Sequence, residues 1–303
     1  MKKTTDDRFS GFTSGFIAIV GAPNVGKSTL LNQMLGEKIS ITSKKPQTTR
    51  NRIVGILHRP ASQLVFIDTP GVHESKRLLN VRIVDVALSS LGDADLVLIL
   101  IDVANPDPES ETFLVRKLKT VNSPIVLALN KIDLIDKPML LTIIDKWANA
   151  YPFEAVIPVS AILGDQIDEL VETMESLLPE GPPYFPEDAL TDLPERFIAA
   201  EMIREKVFRL TGQEIPYSTA ITIESFKEKK KGGLVTIHAT IHVERASQKG
   251  MVIGKNGSRL KMIGMEARKE IERMLATKVY LKLLVRVNKN WSKDAKSLRR
   301  LGY

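Results

Sequence analysis

The chain has 303 residues, contains no cysteine and carries a net charge of +7. Its hydrophobic fraction of 43% and charged fraction of 26% are ordinary for a globular protein and exclude a disordered or collagen-like chain. The lack of cysteine excludes disulfides, thiolate nucleophiles and iron–sulfur clusters. The start of the chain is charged and resembles no signal peptide, and the longest apolar run, Leu96–Ile101, is far shorter than the ~20 residues that span a bilayer. We therefore expect a cytoplasmic protein.

The positive charge is unevenly distributed along the chain. Residues 194–303 carry 24 basic and 11 acidic side chains, a net charge of +13, whereas residues 1–193 have a net charge of −6. A basic module joined to an acidic one suggests that the C-terminal part meets a polyanion. A merely solvated basic surface is the alternative.

A proline-rich stretch separates these two parts. Five prolines lie between Leu178 and Arg196, without a periodic apolar pattern. Proline removes backbone donors and fixes φ, so neither a helix nor a central strand is expected there. The composition predicts a semi-rigid linker over 181–195, between a domain at 1–180 and a second domain at 196–303.

Short apolar runs alternate with helical patterns in the first domain. The predicted strands are Phe16–Val20, Asn51–Leu57 (at an edge), Leu64–Ile67, Leu96–Ile101, Ile125–Leu129 and Ala155–Val159. Helical patterns lie between them, for example at Val81–Leu91 and Phe113–Lys119. This alternation predicts an α/β domain in which helices flank a mostly parallel sheet.

The second domain has a different order of elements. Its predicted elements are a helix at Pro194–Leu210, strands at Tyr217–Phe226 and Leu234–Val243, a helix at 258–275, a strand at Lys278–Val287 and one or two helical turns from Trp291. The order α-β-β-α-β predicts a small α+β domain.

A glycine-rich segment follows the first predicted strand and opens a predicted helix. It matches the P-loop pattern G-x-x-x-x-G-K-[ST], and with the next helical residue it comprises Gly21, Ala22, Pro23, Asn24, Val25, Gly26, Lys27, Ser28 and Thr29. Its backbone N–H groups and the helix N-terminus would bind phosphates. We expect Lys27 to reach the β- and γ-phosphates and Ser28 to ligate Mg²⁺.

A second motif ends the strand around Leu64. Its residues are Asp68, Thr69, Pro70 and Gly71. Asp68 is expected to hold Mg²⁺ and Gly71 to place its N–H near the γ-phosphate. Many GTPases have a water-orienting glutamine at the next position, but this chain has Val72, so catalysis must use another group.

Base recognition is predicted where two later strands end. The tetrapeptide Asn130, Lys131, Ile132 and Asp133 follows one strand, and Ser160, Ala161 and Ile162 follow another. The Asp133 carboxylate can accept two hydrogen bonds from guanine, whereas adenine would leave it unpaired. We expect Asn130 to brace the P-loop, the Lys131 stem to cover the base, and a backbone N–H of the later segment to meet the guanine O6.

The stretch between the P-loop and Asp68 contains Gln47–Asn51. Either Thr48 or Thr49 would ligate Mg²⁺ and the γ-phosphate, with Thr49 favoured. The segment is expected to be a nucleotide-dependent switch. The four motifs in this order predict a P-loop GTPase domain, with Asn24, Lys27, Thr49 and Gly71 as catalytic candidates.

The second domain contains a G-x-x-G sequence after an apolar run. The candidate RNA-binding residues are Ile253, Gly254, Lys255, Asn256, Gly257, Ser258, Arg259 and Lys261. In KH domains such a loop holds the nucleic-acid backbone, although G-x-x-G also occurs in helix caps and turns. The basic charge and the order of elements favour RNA binding.

Together these motifs resemble the Era family of bacterial GTPases over nearly the whole chain. The resemblance rests on GAPNVGKS, QTTRN, DTPG, NKID, SAI, GKNG and the ending LRRLGY. It implies a GTPase domain followed by a type II KH domain, GTP and GDP as ligands, Mg²⁺, and binding near the 3′ end of small-subunit ribosomal RNA during small-subunit assembly. It also implies a monomer that is mostly cytoplasmic, with some peripheral inner-membrane association. In GTPases without the catalytic glutamine, an asparagine in the position of Asn24 can help bind K⁺.

Three other functions fit the sequence less well. A GTP-dependent metabolic enzyme would need a catalytic base for a second substrate, a GTPase with two G domains would need a second P-loop, and a membrane-remodelling GTPase would need an anchor. None of these features is found in the sequence.

Overall fold

The computed structural model describes residues 9–42, 52–69, 94–118, 121–212, 215, 219–228 and 233–301. The chain forms two compact units, and the main boundary between them lies between Asp192 and Leu193, inside the predicted linker. Within the described ranges, no helix is long and apolar enough to cross a membrane. The predicted helix at 81–91 and the switch segment at Gln47–Asn51 lie outside these ranges.

The first unit is built on a six-stranded sheet. Its strands are β1 (Thr13–Gly21), β2 (Ile53–Arg59), β3 (Ser62–Asp68), β4 (Leu96–Asp102), β5 (Ile125–Asn130) and β6 (Ala155–Val159). Their order in the sheet is β2-β3-β1-β4-β5-β6, and every pair is parallel except β2 with β3. The mostly parallel sheet and the edge position of β2 are therefore as predicted.

Helices cover both faces of this sheet. Those that the structure describes are α1 (Lys27–Leu35), α2 (Pro108–Leu118), α3 (Lys137–Ala150) and α4 (Ile167–Ser176). Trp147 of α3 and Leu114 of α2 pack with Ile99 of β4 in one core. The alternate residues Leu98 and Leu100 are equally buried on the other face. A parallel sheet buried on both sides brings the carboxyl ends of its strands together at one edge, where the predicted motifs lie.

Most of the predicted linker packs on the first unit along β2 and β3. The buried Gln63 side chain accepts hydrogen bonds from the Tyr184 and Phe185 N–H groups (2.7 and 3.0 Å) and donates one to the Phe185 carbonyl (2.8 Å). Farther along, the Ile56 N–H donates to the Leu190 carbonyl at 2.9 Å and Thr191 donates to the Val54 carbonyl at 2.6 Å. These contacts cover the edge strand β2, which would otherwise expose unpaired backbone groups.

The second unit is a three-stranded sheet with helices on one face. Its elements are α5 (Glu195–Leu210), β7 (Ala220–Glu228), β8 (Leu234–Val243), α6 (Ala246–Ile253), α7 (Ser258–Met274), β9 (Lys278–Val287) and α8 (Ala295–Arg300). Strand β8 is central, antiparallel to β7 and parallel to β9. Ile203 of α5, Val252 of α6 and Ile271 of α7 pack in one core with Ile237 and Ile241 of β8.

Helix α6 is absent from the predicted order of elements. The sequence ASQKGMVI contains Gly250 and ends in two β-branched residues, and both features lower helix propensity. The helix forms because the Gln248 side chain accepts hydrogen bonds from the Glu244 and Arg245 N–H groups (2.9 and 3.0 Å) and because Val252 is fully buried. The G-x-x-G sequence therefore joins two helices, α6 and α7, rather than a strand and a helix as expected.

Candidate functional site

The P-loop connects β1 to α1 and closely approaches neighbouring strands. A Cβ atom added to Gly21 would lie 2.5 Å from the Leu100 carbonyl oxygen. One added to Gly26, whose φ is 105°, would lie 2.3 Å from Nδ2 of Asn130. Only glycine fits at these two positions, which explains the spacing of the motif. Within the loop, Ala22 and Val25 are buried, whereas Asn24 is exposed and has a φ of 65°.

Lys27 is buried at the start of α1. Its ammonium group donates to the carbonyl oxygens of Gly21 and Ala22, at 3.0 and 2.9 Å. Burial lowers the pKa of Lys27 to about 8, while the nearby Asp68 carboxylate partly opposes this shift. The ammonium is thus held by the inner side of the loop, where a phosphate would give it a stronger partner.

Oxygen atoms suited to a divalent cation converge beside Lys27. The hydroxyl of Ser28 donates to Oδ2 of the fully buried Asp68 at 2.7 Å, and the hydroxyl of Ser40 donates to the same oxygen at 2.8 Å. A carboxylate and a hydroxyl are hard oxygen ligands, which Mg²⁺ prefers. The structure therefore brings the predicted pair Ser28 and Asp68 together and adds Ser40, for which the sequence contains no motif.

The structure describes the remaining candidates of the phosphate site only in part. Thr69 is buried, and its hydroxyl donates to the Ile19 carbonyl at 2.7 Å, which ties β3 to β1. Thr29 lies in the first turn of α1. The other candidates lie outside the described residues, namely Thr48, Thr49, Pro70, Gly71 and Val72.

Asn130 connects the three loops around the base end of the site. Its Nδ2 group donates to the Val25 carbonyl of the P-loop at 2.7 Å, and its Oδ1 atom accepts from the Ala161 N–H at 3.0 Å. The side chain is 1% exposed, so both bonds are shielded from water. The predicted brace between Asn130 and the P-loop is therefore present in the geometry, together with a second bond to the Ser160–Ile162 segment.

The acidic residue of the tetrapeptide is held by the same segment. Ser160, which is fully buried, donates to Oδ1 of the exposed Asp133 at 2.6 Å. This bond orients the carboxylate. Ile132 packs against the core of the sheet, while Ile162 is 72% exposed.

Lys131 has a left-handed backbone, with φ of 70°. Its ammonium group donates to the carbonyl oxygen of Asn24 at 3.0 Å and is hydrogen-bonded to the carboxylate of Asp102. Asp102 ends β4, where the sequence shows only an acidic residue after an apolar run, so no motif indicated its place in the site.

The G-x-x-G loop of the second unit is a tight turn between α6 and α7. Gly254, Asn256 and Gly257 have φ angles of 72°, 51° and 76°. A Cβ on Gly254 would lie 2.8 Å from the Arg259 Cβ, whereas one on Gly257 would meet nothing within 4 Å. Gly257 is also the N-cap of α7 and has no side chain to bond the first N–H groups of the helix. The first N–H group of the helix, that of Ser258, donates instead to the Lys255 carbonyl within the turn.

The candidate RNA-binding side chains around this loop fall into two groups. Lys255, Asn256, Ser258 and Lys261 are exposed. The guanidinium of Arg259 instead bonds the Met251 carbonyl, which braces the loop from within. Ile253 is half-buried at the end of α6 and packs against the core.

Comparison with known proteins assigns each unit to a known domain family. A model of 50S ribosome-binding GTPases matches residues 16–131, and a KH-domain model matches residues 214–292. The GTPase Era of Geotalea uraniireducens is 56% identical over 292 residues, 96% of this chain and 98% of that protein. The GTPase Era of Geobacter metallireducens has the same identity and coverage.

Two solved structures resemble nearly the whole chain. A crystal structure of Era with MgGDPNP and nucleotides 1506–1542 of 16S ribosomal RNA is 42% identical, covers 96% of this chain and 99% of its own, and has a TM-score of 0.92. An Aquifex aeolicus Era variant bound to GDP and AlF4⁻ is 41% identical with the same coverage and TM-score. The fold class and the resemblance predicted from the motifs are confirmed: the chain belongs to the Era family of GTPases.

Proposed function

We propose that this GTPase is a GTP-dependent switch that binds small-subunit ribosomal RNA near its 3′ end through its second unit and assists small-subunit assembly. The observation that carries the proposal is the presence, in one chain, of an assembled P-loop site and an open G-x-x-G loop on a module with a net charge of +13. The relative solved with 16S ribosomal RNA nucleotides supports the choice of RNA.

In the first unit, the backbone N–H groups of the P-loop hold the phosphates and Lys27 neutralises their charge. Asp133, oriented by Ser160, accepts hydrogen bonds from guanine, and Asn130 keeps the phosphate and base loops together. Because hydrogen bonds between the loops hold these groups in position, less free energy is spent on ordering them when a nucleotide binds.

Mg²⁺ is the cation that Ser28 and Asp68 fit, and Thr48 or Thr49 would complete its ligands. When bound, Mg²⁺ neutralises charge on the β- and γ-phosphates during hydrolysis. The chain's own part is to bring the Ser28 hydroxyl and the Asp68 carboxylate together, 2.7 Å apart, beside Lys27.

A monovalent cation is a further part of the proposal. Val72 cannot orient the attacking water, and Asn24 is exposed in the P-loop beside the phosphate position. We expect Asn24 to help bind K⁺ there, with Gly71 and Thr49 as the other catalytic candidates. Single-turnover hydrolysis should then be faster in K⁺ than in Na⁺, and equal rates would contradict this part.

In the second unit, the RNA backbone would approach the loop at Gly257, where an added side chain finds open space. The positive end of the α7 dipole and the ammonium of Lys255 favour a phosphate at this place. Such contacts position the RNA without reading its sequence.

The test uses the full chain and a 16S ribosomal RNA 3′-end fragment in a filter-binding assay at several salt concentrations. Lys255→Ala should weaken binding and lower the slope of log affinity against log salt by ~0.7, the value for one phosphate contact on a single strand. Lys137→Ala removes the same charge from an exposed position of the first unit and serves as the control. Unchanged binding by a Lys255→Asp/Asn256→Asp double variant would refute the assignment of this loop.

The family resemblance also supports a monomeric protein in the cytoplasm, with peripheral association at the cytoplasmic face of the inner membrane. These remain predictions.

A further inference from the structure

Asp102 occupies the carboxyl end of β4, directly beside the base-recognition tetrapeptide. In the sheet register it is paired with Asn130 of β5, and its side chain is 8% exposed. A carboxylate this buried is stable only with partners that satisfy its charge. Those partners are therefore informative about its role.

Each carboxylate oxygen has a different task. Oδ1 accepts hydrogen bonds from the N–H groups of Ala104 and Asn105, both at 3.0 Å, and this fixes the orientation of the side chain. Oδ2 is thereby directed at Lys131 and forms an ion pair with its ammonium group. The backbone bonds anchor the acid, and the remaining oxygen anchors the lysine.

The ammonium of Lys131, held by Asp102, is also hydrogen-bonded to the P-loop. It donates to the carbonyl oxygen of Asn24 at 3.0 Å, at the outer end of the phosphate cradle. Both Lys131 and Asn24 have left-handed backbones, with φ of 70° and 65°. Such conformations are disfavoured in residues with a side chain and persist only when their surroundings hold them. One ammonium thus holds two strained loops, and Asp102 supplies its counter-charge.

We propose that Asp102 is a positioning residue for guanine-nucleotide binding, acting through Lys131. By holding the ammonium, it keeps the Lys131 stem extended along the base end of the site and clamps the Asn24 carbonyl of the P-loop. The acid itself touches no part of the nucleotide. Its loss should weaken GDP and GTP binding alike, because base and phosphate loops are used by both nucleotides.

The substitution Asp102→Asn separates this role from a purely structural one. The asparagine Oδ1 can still accept from Ala104 and Asn105, so the turn after β4 is kept, but the charge that holds Lys131 is lost. From the strength of a hydrogen bond between charged groups, we expect the dissociation constant for fluorescent N-methylanthraniloyl-GDP to rise about tenfold. Asp95→Asn is the matched control: Asp95 lies at the other end of the strand and accepts from the Phe16 N–H at 2.7 Å.

A double-mutant cycle tests whether the effect of Asp102 on GDP binding depends on Lys131. If Asp102 acts through Lys131, then Asp102→Asn should add less than about twofold to the effect of Lys131→Met. Multiplicative effects, or an Asp102→Asn variant that binds GDP as tightly as the parent, would overturn the proposal.

Thermal unfolding of the nucleotide-free variants checks their folding. If Asp102→Asn is unstable, Asp102→Ser replaces it in the cycle, since a serine hydroxyl can also accept from the N–H groups of the turn. The same two outcomes then decide between the positioning role and a role in folding alone.

Discussion

Substitution of Asn130 by aspartate probes the connection between the P-loop and the base loops. The two side chains have the same shape, and Oδ1 of the aspartate would still accept from the Ala161 N–H. The Nδ2 donor, however, becomes an oxygen that faces the Val25 carbonyl oxygen across 2.7 Å. The change therefore replaces one buried hydrogen bond by a repulsive contact and leaves the rest of the site in place.

The structure indicates the size of the effect. Leaving a buried carbonyl unsatisfied costs about 1–3 kcal/mol, and this site is 1% exposed, so water cannot compensate. If the P-loop must take its present position to bind phosphates, that cost appears in binding, as a loss of about 5- to 150-fold in GDP affinity. The folded sheet should survive, because β5 is held by the backbone bonds of both neighbouring strands.

Equilibrium titration with a fluorescent GDP analogue measures this loss directly. Asn122→Asp introduces the same charge at an exposed position before β5 and should bind GDP like the parent. Circular dichroism of both nucleotide-free variants reports whether the sheet is intact. An Asn130→Asp variant that folds and binds GDP within twofold of the parent would refute the role of this side chain as the link between the loops.

Two further predictions concern Lys27 and the strap formed by residues 181–192. Burial lowers the pKa of Lys27 to about 8, and bound phosphates should raise it again. GDP affinity should therefore be constant below pH 8 and fall by up to about tenfold per pH unit above it. Calorimetry at pH 8.5 should detect the uptake of about half a proton or more on GDP binding, and no proton uptake would contradict the lowered pKa. Gln63→Glu places an oxygen opposite the Phe185 carbonyl and should speed amide exchange at Tyr184 and Phe185 by about tenfold. Gln33→Glu, at an exposed position, is the control. Equal exchange rates of the Tyr184 and Phe185 amides in the two variants would contradict the role of Gln63 in holding the strap on the sheet.

The motifs and most elements of the fold follow from local sequence. Strands β6, β8 and β9 begin and end at the residues that their apolar patterns predict. This is because each residue of a strand is apolar or polar according to whether its side chain is buried. The P-loop is equally local, since its glycines are needed for a positive φ and for close backbone contacts. The pairing of Asn130 with the P-loop also follows, because both lie at the carboxyl edge of a parallel sheet.

Other features depend on contacts between distant residues, and no local pattern contains them. Helix α6 forms from a weakly helical sequence because Gln248 caps it and the core buries Val252. The prolines of 181–192 predict a semi-rigid linker, but contacts with distant residues, among them Gln63 on β3, decide that this segment packs on the sheet. No sequence motif marks Ser40 or Asp102, and only the fold shows that they lie beside Asp68 and Lys131. The sequence by itself therefore determines the class of protein and the chemistry of its ligands, whereas the tertiary structure decides which polar side chains hold the site in place, because hydrogen-bond partners are chosen by distance in space.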